Sequence, residues 1–127
     1  MEQKYEFEEL SSQVIGAAIE VHKALKAGYS ENIYHKALEI ELAMKGINFE
    51  SEKDIKVWYK GAKVGDYKID LLIDNQIVVE LKVVEDFCDA HVSQVISYLK
   101  TASIPIGLLL NFSKSKLEIK RVLWTEK

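Results

Sequence analysis

The stretch YKIDLLIDNQIVVELKV, Tyr67 to Val83, constrains the fold more than any other part of the chain. Two runs rich in Val, Ile and Leu flank Asp74-Asn75-Gln76, as expected for two buried strands joined by a hairpin. The runs also carry Asp70, Glu80 and Lys82. Charges are costly to bury unless they are paired or hold a cation, so their place inside strands points to chemistry. Side chains alternate across a strand. Glu80 and Lys82 therefore share a face with Val78 and Val84, and Asp70 shares one with Lys68 and Leu72. The loop decides whether those faces coincide. A three-residue loop pairs Ile73 with Ile77, Leu72 with Val78 and Asp70 with Glu80, whereas a two-residue loop puts the two carboxylates on opposite faces. Three-residue hairpins are common and want a left-handed residue, which Asn tolerates. In that register the carboxylates lie about 5 Å apart between Cβ atoms. Alone they repel, and one tends to stay protonated; a divalent cation would take both as oxygen ligands. The backbone carbonyl of Leu81 offers another oxygen. Lys82, one pleat further along the face, can orient a water or stabilise charge on a phosphate oxygen. The plainer alternative is a Glu80–Lys82 salt bridge.

The rest of the chain supplies partners for this hairpin. Phe7, Leu10, Val14, Ala18, Val21 and Leu25 recur at helical spacing and predict a helix from about Glu6 to Lys26, ended by Gly28. Ser30 reads as the N-cap of a second helix running to about Lys45 and closed by Gly46, with Tyr34, Leu38 and Leu42 on its inner stripe. Phe49 to Tyr59 alternates through Ile55, Val57 and Tyr59, and Gly61 marks a turn. Strands over Val64–Ile73 and Ile77–Val84 follow. A third helix begins near Asp86 or Asp89 and ends near Ala102. Pro105 opens the strand PIGLLLNF, and Leu117 to Trp124 gives a last strand. The order α-α-β-β-β-α-β-β predicts an α/β fold: one domain over residues 1–127, a mixed sheet flanked by helices.

Composition narrows the function classes. In 127 residues there is no linker, repeat or low-complexity segment. The longest apolar stretch, Ile104 to Leu110, is far short of the roughly 18 residues of a membrane span. The start, MEQKYEFEEL, is acidic and lacks a signal-peptide core. The single cysteine, Cys88, allows no internal disulfide and has no partner for a zinc site. The expectation is a cytoplasmic protein without a membrane partner. A net charge of −3 and a single arginine, Arg121, argue against a protein that coats nucleic acid without specificity. The acids are unevenly placed: residues 1–50 hold five lysines against nine acids, residues 51–127 twelve Lys/Arg against eleven. Lys60, Lys63, Lys114 and Lys116 are either a nucleic-acid path or a solvated face. His22 reads as a structural histidine bordering the first helix's apolar face, and His35 as a surface or partner-facing one.

The spacing Asp70-X₉-Glu80-X-Lys82 on adjacent strands resembles the pattern of the PD-(D/E)XK nuclease superfamily, and the element order resembles its core. The chain is similar in particular to a subfamily named for a GxxExxY motif, here Gly28-Tyr29-Ser30-Glu31-Asn32-Ile33-Tyr34. The resemblance extends through VHKAL (Val21–Leu25), ALEIELAMKGI (Ala37–Ile47), VWYKGAKVGDYKIDLLI (Val57–Ile73), IVVELKVVE (Ile77–Glu85), HVSQVISYLK (His91–Lys100) and GLLLNF (Gly107–Phe112), nearly the whole chain. It departs from the family pattern in two places. Leu25-Lys26-Ala27-Gly28 stands where a Leu-Gly-Pro-Gly-like turn is usual, and Ile69 stands where proline often precedes the aspartate. The resemblance implies a restriction-endonuclease-like core, α-β-β-β-α-β, with an extra N-terminal helix and a C-terminal strand.

It also implies metal-dependent phosphodiester hydrolysis, with Mg²⁺ or Mn²⁺ as cofactor and nucleic acid, DNA first, as partner. Asp70, Glu80, Lys82, Glu31 and Gln94 would be the catalytic set. Asp70, Glu80, Glu31 and the Leu81 carbonyl would be the metal ligands. Glu31 has a plainer role open to it, complementing the dipole at a helix N-terminus. Gln94, Tyr98 and His91 fall on one stripe of the third helix, which is either an amphipathic border or a shell around the acidic face. There Gln94 would bind a phosphate or a water, Tyr98 would bond Lys82 or substrate, and His91 would act as an acid–base group or phosphate contact. Two other function classes compete: a non-catalytic nucleic-acid-binding or dimeric assembly module, and an RNA-directed nuclease. A homodimer is compatible with either.

Overall fold

The computed structural model describes the backbone of residues 2–125 and side chains from Glu8 onward. Phe7, the first residue of the expected apolar stripe, has its side chain outside the described residues. The elements are α1 (Glu2–Leu25), α2 (Glu31–Met44), β1 (Phe49–Tyr59), β2 (Ala62–Ile73), β3 (Ile77–Lys82), α3 (Asp89–Ala102), β4 (Ile106–Asn111) and β5 (Glu118–Leu123). The five strands form one sheet in the order β1-β2-β3-β4-β5. Only β3 and β4 run parallel, joined across α3; the other neighbours are antiparallel. The expected mixed sheet with flanking helices is therefore the observed one.

Local chemistry explains most boundaries. α1 stops when Lys26 turns left-handed, at φ 63°, two residues before the expected Gly28, whose own φ is 120°. Ser30 stands at the N-cap of α2 in extended conformation, without a side-chain bond. α2 closes as expected at Gly46: its N–H bonds the Ala43 carbonyl and the Ile47 N–H bonds the Leu42 carbonyl, both at 3.0 Å, the paired pattern of a helix end with a left-handed residue. Lys60 and Gly61 are both left-handed, at φ 48° and 81°, as a two-residue hairpin turn with the sheet's own twist requires. β3 is two residues shorter than expected, because Val84 leaves the ladder to bond Asn111.

The sheet is covered on both sides. α1 and α2 bury Val14, Ala17, Val21, Leu38 and Leu42 against Leu71, Ile73, Val79, Leu81 and Leu108. α3 buries Val95, Tyr98 and Leu99 against Ile69, Leu72, Val78 and Leu109. Burial on both faces explains the near-continuous apolar runs of the central strands.

One irregularity positions the site. Ile69 faces α3, yet Leu71, two residues on, faces α1 and α2. Strict alternation would put them together. On β1, Phe49 faces the α1–α2 side and Ile55 the α3 side. The change of phase falls on one cross-strand pair: Glu52 is left-handed, at φ 52°, and it and Asp70 drop out of a register that holds on either side. The outer β1–β2 hairpin is thus creased over α3. Asp70 sits on the crease, so it does not share a face with both Lys68 and Leu72 as plain alternation suggested.

Candidate functional site

The β2–β3 hairpin has the expected register: Ile73 pairs with Ile77, Leu72 with Val78 and Leu71 with Val79. Its turn takes two left-handed residues, Asp74 (φ 49°) and Asn75 (φ 56°), closed by a 2.8 Å bond from the Gln76 N–H to the Ile73 carbonyl. One step further the ladder opens, and the two acids fill the gap. The Asp70 N–H donates to Glu80 Oε1 at 2.9 Å. The Leu81 N–H donates to Asp70 Oδ2, also at 2.9 Å. Each carboxylate replaces a backbone acceptor that the parted strands have lost, so buried N–H groups stay satisfied. The same bonds fix both acids on rigid strands.

The electrostatics are strained. Glu80 is only 4% exposed. Burial first, and then the Asp70 charge, push its carboxyl from an ordinary 4.5 up to about 8, against the opposing pull of the Asp70 N–H and Lys82. Lys82 does not form the salt bridge that was the plainer alternative. Its ammonium donates to Gln94 Oε1 at 3.0 Å, and among the described residues no ion pair joins it to either acid. α3 thus holds the lysine from the side. Tyr98 is buried under the acids, where burial, then Glu80, Asp70 and Tyr67, raise its phenol to about 12. Its ring lies 5.1 Å from that of Tyr67, centroid to centroid. It is Gln94, not Tyr98, that bonds Lys82.

Glu31 opens α2 and remains solvent-exposed. Partial burial of its carboxyl first, and then the Asp70 charge, raise it above the usual range, with Lys82 and His35 opposing. It therefore senses the Asp70–Lys82 site from the rim. Among the described residues no three of His, Cys, Asp and Glu come together as a closed metal cage, so the expected Asp70–Glu80–Glu31 set is a close pair with a third acid outside it. The turn before Glu31 is pinned by Tyr34, whose hydroxyl donates to the Lys26 carbonyl and accepts the Tyr29 N–H, and whose ring stacks on Phe112. The first and last residues of the GxxExxY segment shape the turn that leads into Glu31.

Other expected residues have different employment. His91 Nδ1 accepts the Cys88 N–H at 3.1 Å, half of a capping box on α3. His22 is the structural histidine expected, 2.8 Å from the Lys114 carbonyl. His35 is not partner-facing: it bonds Ser51 Oγ at 2.9 Å and Glu39 at 3.0 Å, tying α2 to β1. Lys114 is paired with Asp86 and Glu118 and Lys63 with Asp66, while Lys60 lies over the Tyr59 ring. Sequence reading missed Tyr67, because nothing local signals a crease that swings it onto Tyr98. It also missed Asn111, buried and bonded to both the N–H and the carbonyl of Val84; a polar residue closing an apolar strand was the available signal.

The family model described as the PD-(D/E)XK nuclease superfamily matches residues 8–122. The crystal structure of SSO0001 is similar, with a TM-score of 0.60 and 21% identity, over 76% of this chain and 50% of that one. The chain therefore spans half the length of that solved chain, and the likeness is one of fold. No curated protein matches the chain. Among the described residues no helix is long and apolar enough to cross a membrane.

Proposed function

The chain belongs to the PD-(D/E)XK nuclease superfamily, and on that premise we propose that it is a divalent-metal-dependent nuclease of the GxxExxY kind, hydrolysing phosphodiester bonds in DNA. The observation that carries this reading is the opened ladder: two acids pressed together on adjacent strands, with a lysine beside them that neutralises neither by direct contact. A buried carboxyl driven toward protonation by its neighbour is a group that a cation would relieve.

The donor set fits Mg²⁺ or Mn²⁺, which prefer oxygen and are held by one or two carboxylates with water completing the shell. Asp70 and Glu80 would hold the ion. In a strand the N–H and carbonyl of one residue project from the same edge, so the Leu81 carbonyl lies on the Asp70 side to assist them. Glu31 at the rim would engage directly or through water. When bound, the ion supplies a Lewis acid for the phosphate and lowers the pKa of water.

The chain's own residues do the rest. Gln94 holds the Lys82 ammonium in place, so its charge can stabilise the phosphate oxygen and hold the attacking water by hydrogen bonding. Tyr98, buried beneath the acids, shields them on the α3 side, which strengthens the electrostatic terms there. Glu31, near the Asp70 and Lys82 charges, would orient the water shell.

The test is a cleavage panel with Mg²⁺ and Mn²⁺ on single-stranded, duplex and branched DNA and on RNA. Asp70→Ala and Lys82→Ala should each cost on the order of 10²–10⁴-fold. Cutting of RNA alone would move the assignment to an RNA-directed nuclease. No cutting of any substrate, with nucleic acid still bound, would make the protein a binding module.

A further inference from the structure

α2 turns one side into the core and leaves another face bare. Tyr34, Leu38 and Leu42 are buried. Ile33, Ile40 and Met44 are 41%, 62% and 76% exposed, and Ala37, half-buried against the core, lies between Ile33 and Ile40 on the same row. The row advances by four, three and four residues, the spacing of a coiled-coil seam. At about 100° per residue it lies roughly 130° around the helix from the buried stripe. Three large exposed apolar side chains aligned on one helix face mark an interaction surface, because single scattered residues would not align.

The charges beside the row identify its occupant. Lys36 flanks the seam on one side and Glu41 on the other, and neither is in an ion pair among the described residues. We propose that this face pairs with the same face of a second copy of the chain, the two α2 helices running parallel. In a parallel pair the two-fold axis runs along the helices, and the left flank of one meets the right flank of the other. Lys36 then lies beside the partner's Glu41, and Glu41 beside the partner's Lys36, the positions that set pairing in parallel coiled coils. An antiparallel pair would set like flank against like flank, lysine with lysine and glutamate with glutamate. The surface is self-complementary in the parallel arrangement alone, as an isologous contact requires. Because Glu31 opens α2, that arrangement would bring the two candidate sites to the same end of the dimer.

Sedimentation of the full chain from micromolar to millimolar concentration tests this without reference to cleavage. The wild type should reach a dimer, and Ile40→Glu should remain monomeric with an unchanged circular dichroism spectrum. Lys36→Glu or Glu41→Lys alone should weaken association about tenfold, since two attractive pairs become repulsive. The two substitutions together should restore it. In a Cys88→Ser background Met44→Cys should form a disulfide-linked dimer on mild oxidation, since parallel pairing sets the position against itself. A wild type that stays monomeric throughout, a dimer that survives Ile40→Glu, or a double charge swap that fails to recover association would overturn the proposal.

Discussion

Asp70 and Glu80 each satisfy an N–H of the other's strand through their carboxylates, at the cost of crowding two negative charges. The sign of that cost is measurable in the metal-free protein. Glu80 is held near 8 in the fold against an ordinary 4.5, so the native state keeps a proton that the unfolded chain has released. Stability should therefore fall as pH rises from about 4.5 to 8, and level off above. Urea titrations at pH 5 and pH 8 check this, and Glu80→Gln should remove most of the slope. A wild type more stable at pH 8 than at pH 5 would mean that the carboxyl is not raised. His91 gives the converse case at this scale. Its Nδ1 caps α3, so His91→Ala should cost about 1 kcal/mol of stability and leave the pH profile of cleavage unchanged.

At the scale of elements, α3 matters because it brings Gln94 to Lys82 and Tyr98 beneath the acids. Its approach to the sheet is set by Gly107 on β4. A Cβ built there would sit 2.6 Å from Val95 Cγ1 and about 3.5 Å from Leu99, closer than buried atoms tolerate. Gly107→Ala should push α3 outward and destabilise the protein by about 1–3 kcal/mol. It should also lower activity beyond what the stability loss predicts, as Gln94 moves away from Lys82; denaturation and single-turnover cleavage on the same protein separate the two. The far end of α3 has room for improvement. Ser103 stands at a left-handed C-cap, φ 57°, where the chain closes through a 3.0 Å bond from the Ile104 N–H to the Leu99 carbonyl. Ser103→Gly should stabilise the fold by up to about 1 kcal/mol, because only glycine takes that conformation without strain.

Across the whole molecule, helices on both faces of the sheet bury a site that no local segment could bury alone. A ligand that binds only the folded state stabilises it by mass action. Mg²⁺ should therefore raise the melting temperature of the wild type. Asp70→Asn relieves the crowding, so it should leave the metal-free fold as stable or more so, abolish metal-dependent cleavage and lose most of the Mg²⁺-induced rise. Thermal scans of both proteins with and without Mg²⁺ read all three. If Asp70→Asn unfolds the protein and Mg²⁺ leaves the wild type unchanged, the acids serve structure alone.

The sequence by itself determined what is periodic or local. Apolar spacing marked the helices, Gly46 and Gly61 marked turns, and the loop Asp74-Asn75-Gln76 set the register that brings Asp70 to Glu80. These features need only a chain's own neighbours: side-chain alternation, left-handed tolerance and helical repeat. Tertiary structure alone decided the rest. The crease at Glu52 and Asp70 breaks alternation on two strands at once, and no property of either strand announces it. It turns an ordinary ladder pair into two carboxylates that accept N–H groups across the opened strands, Glu80 from Asp70 and Asp70 from Leu81. Whether Lys82 met Glu80 or Gln94 was equally open in one dimension, since the choice rests on how closely α3 settles on Gly107. His91 went to a helix cap by the same rule: a polar group in the fold goes to the nearest unsatisfied partner, and only packing decides which partner is near.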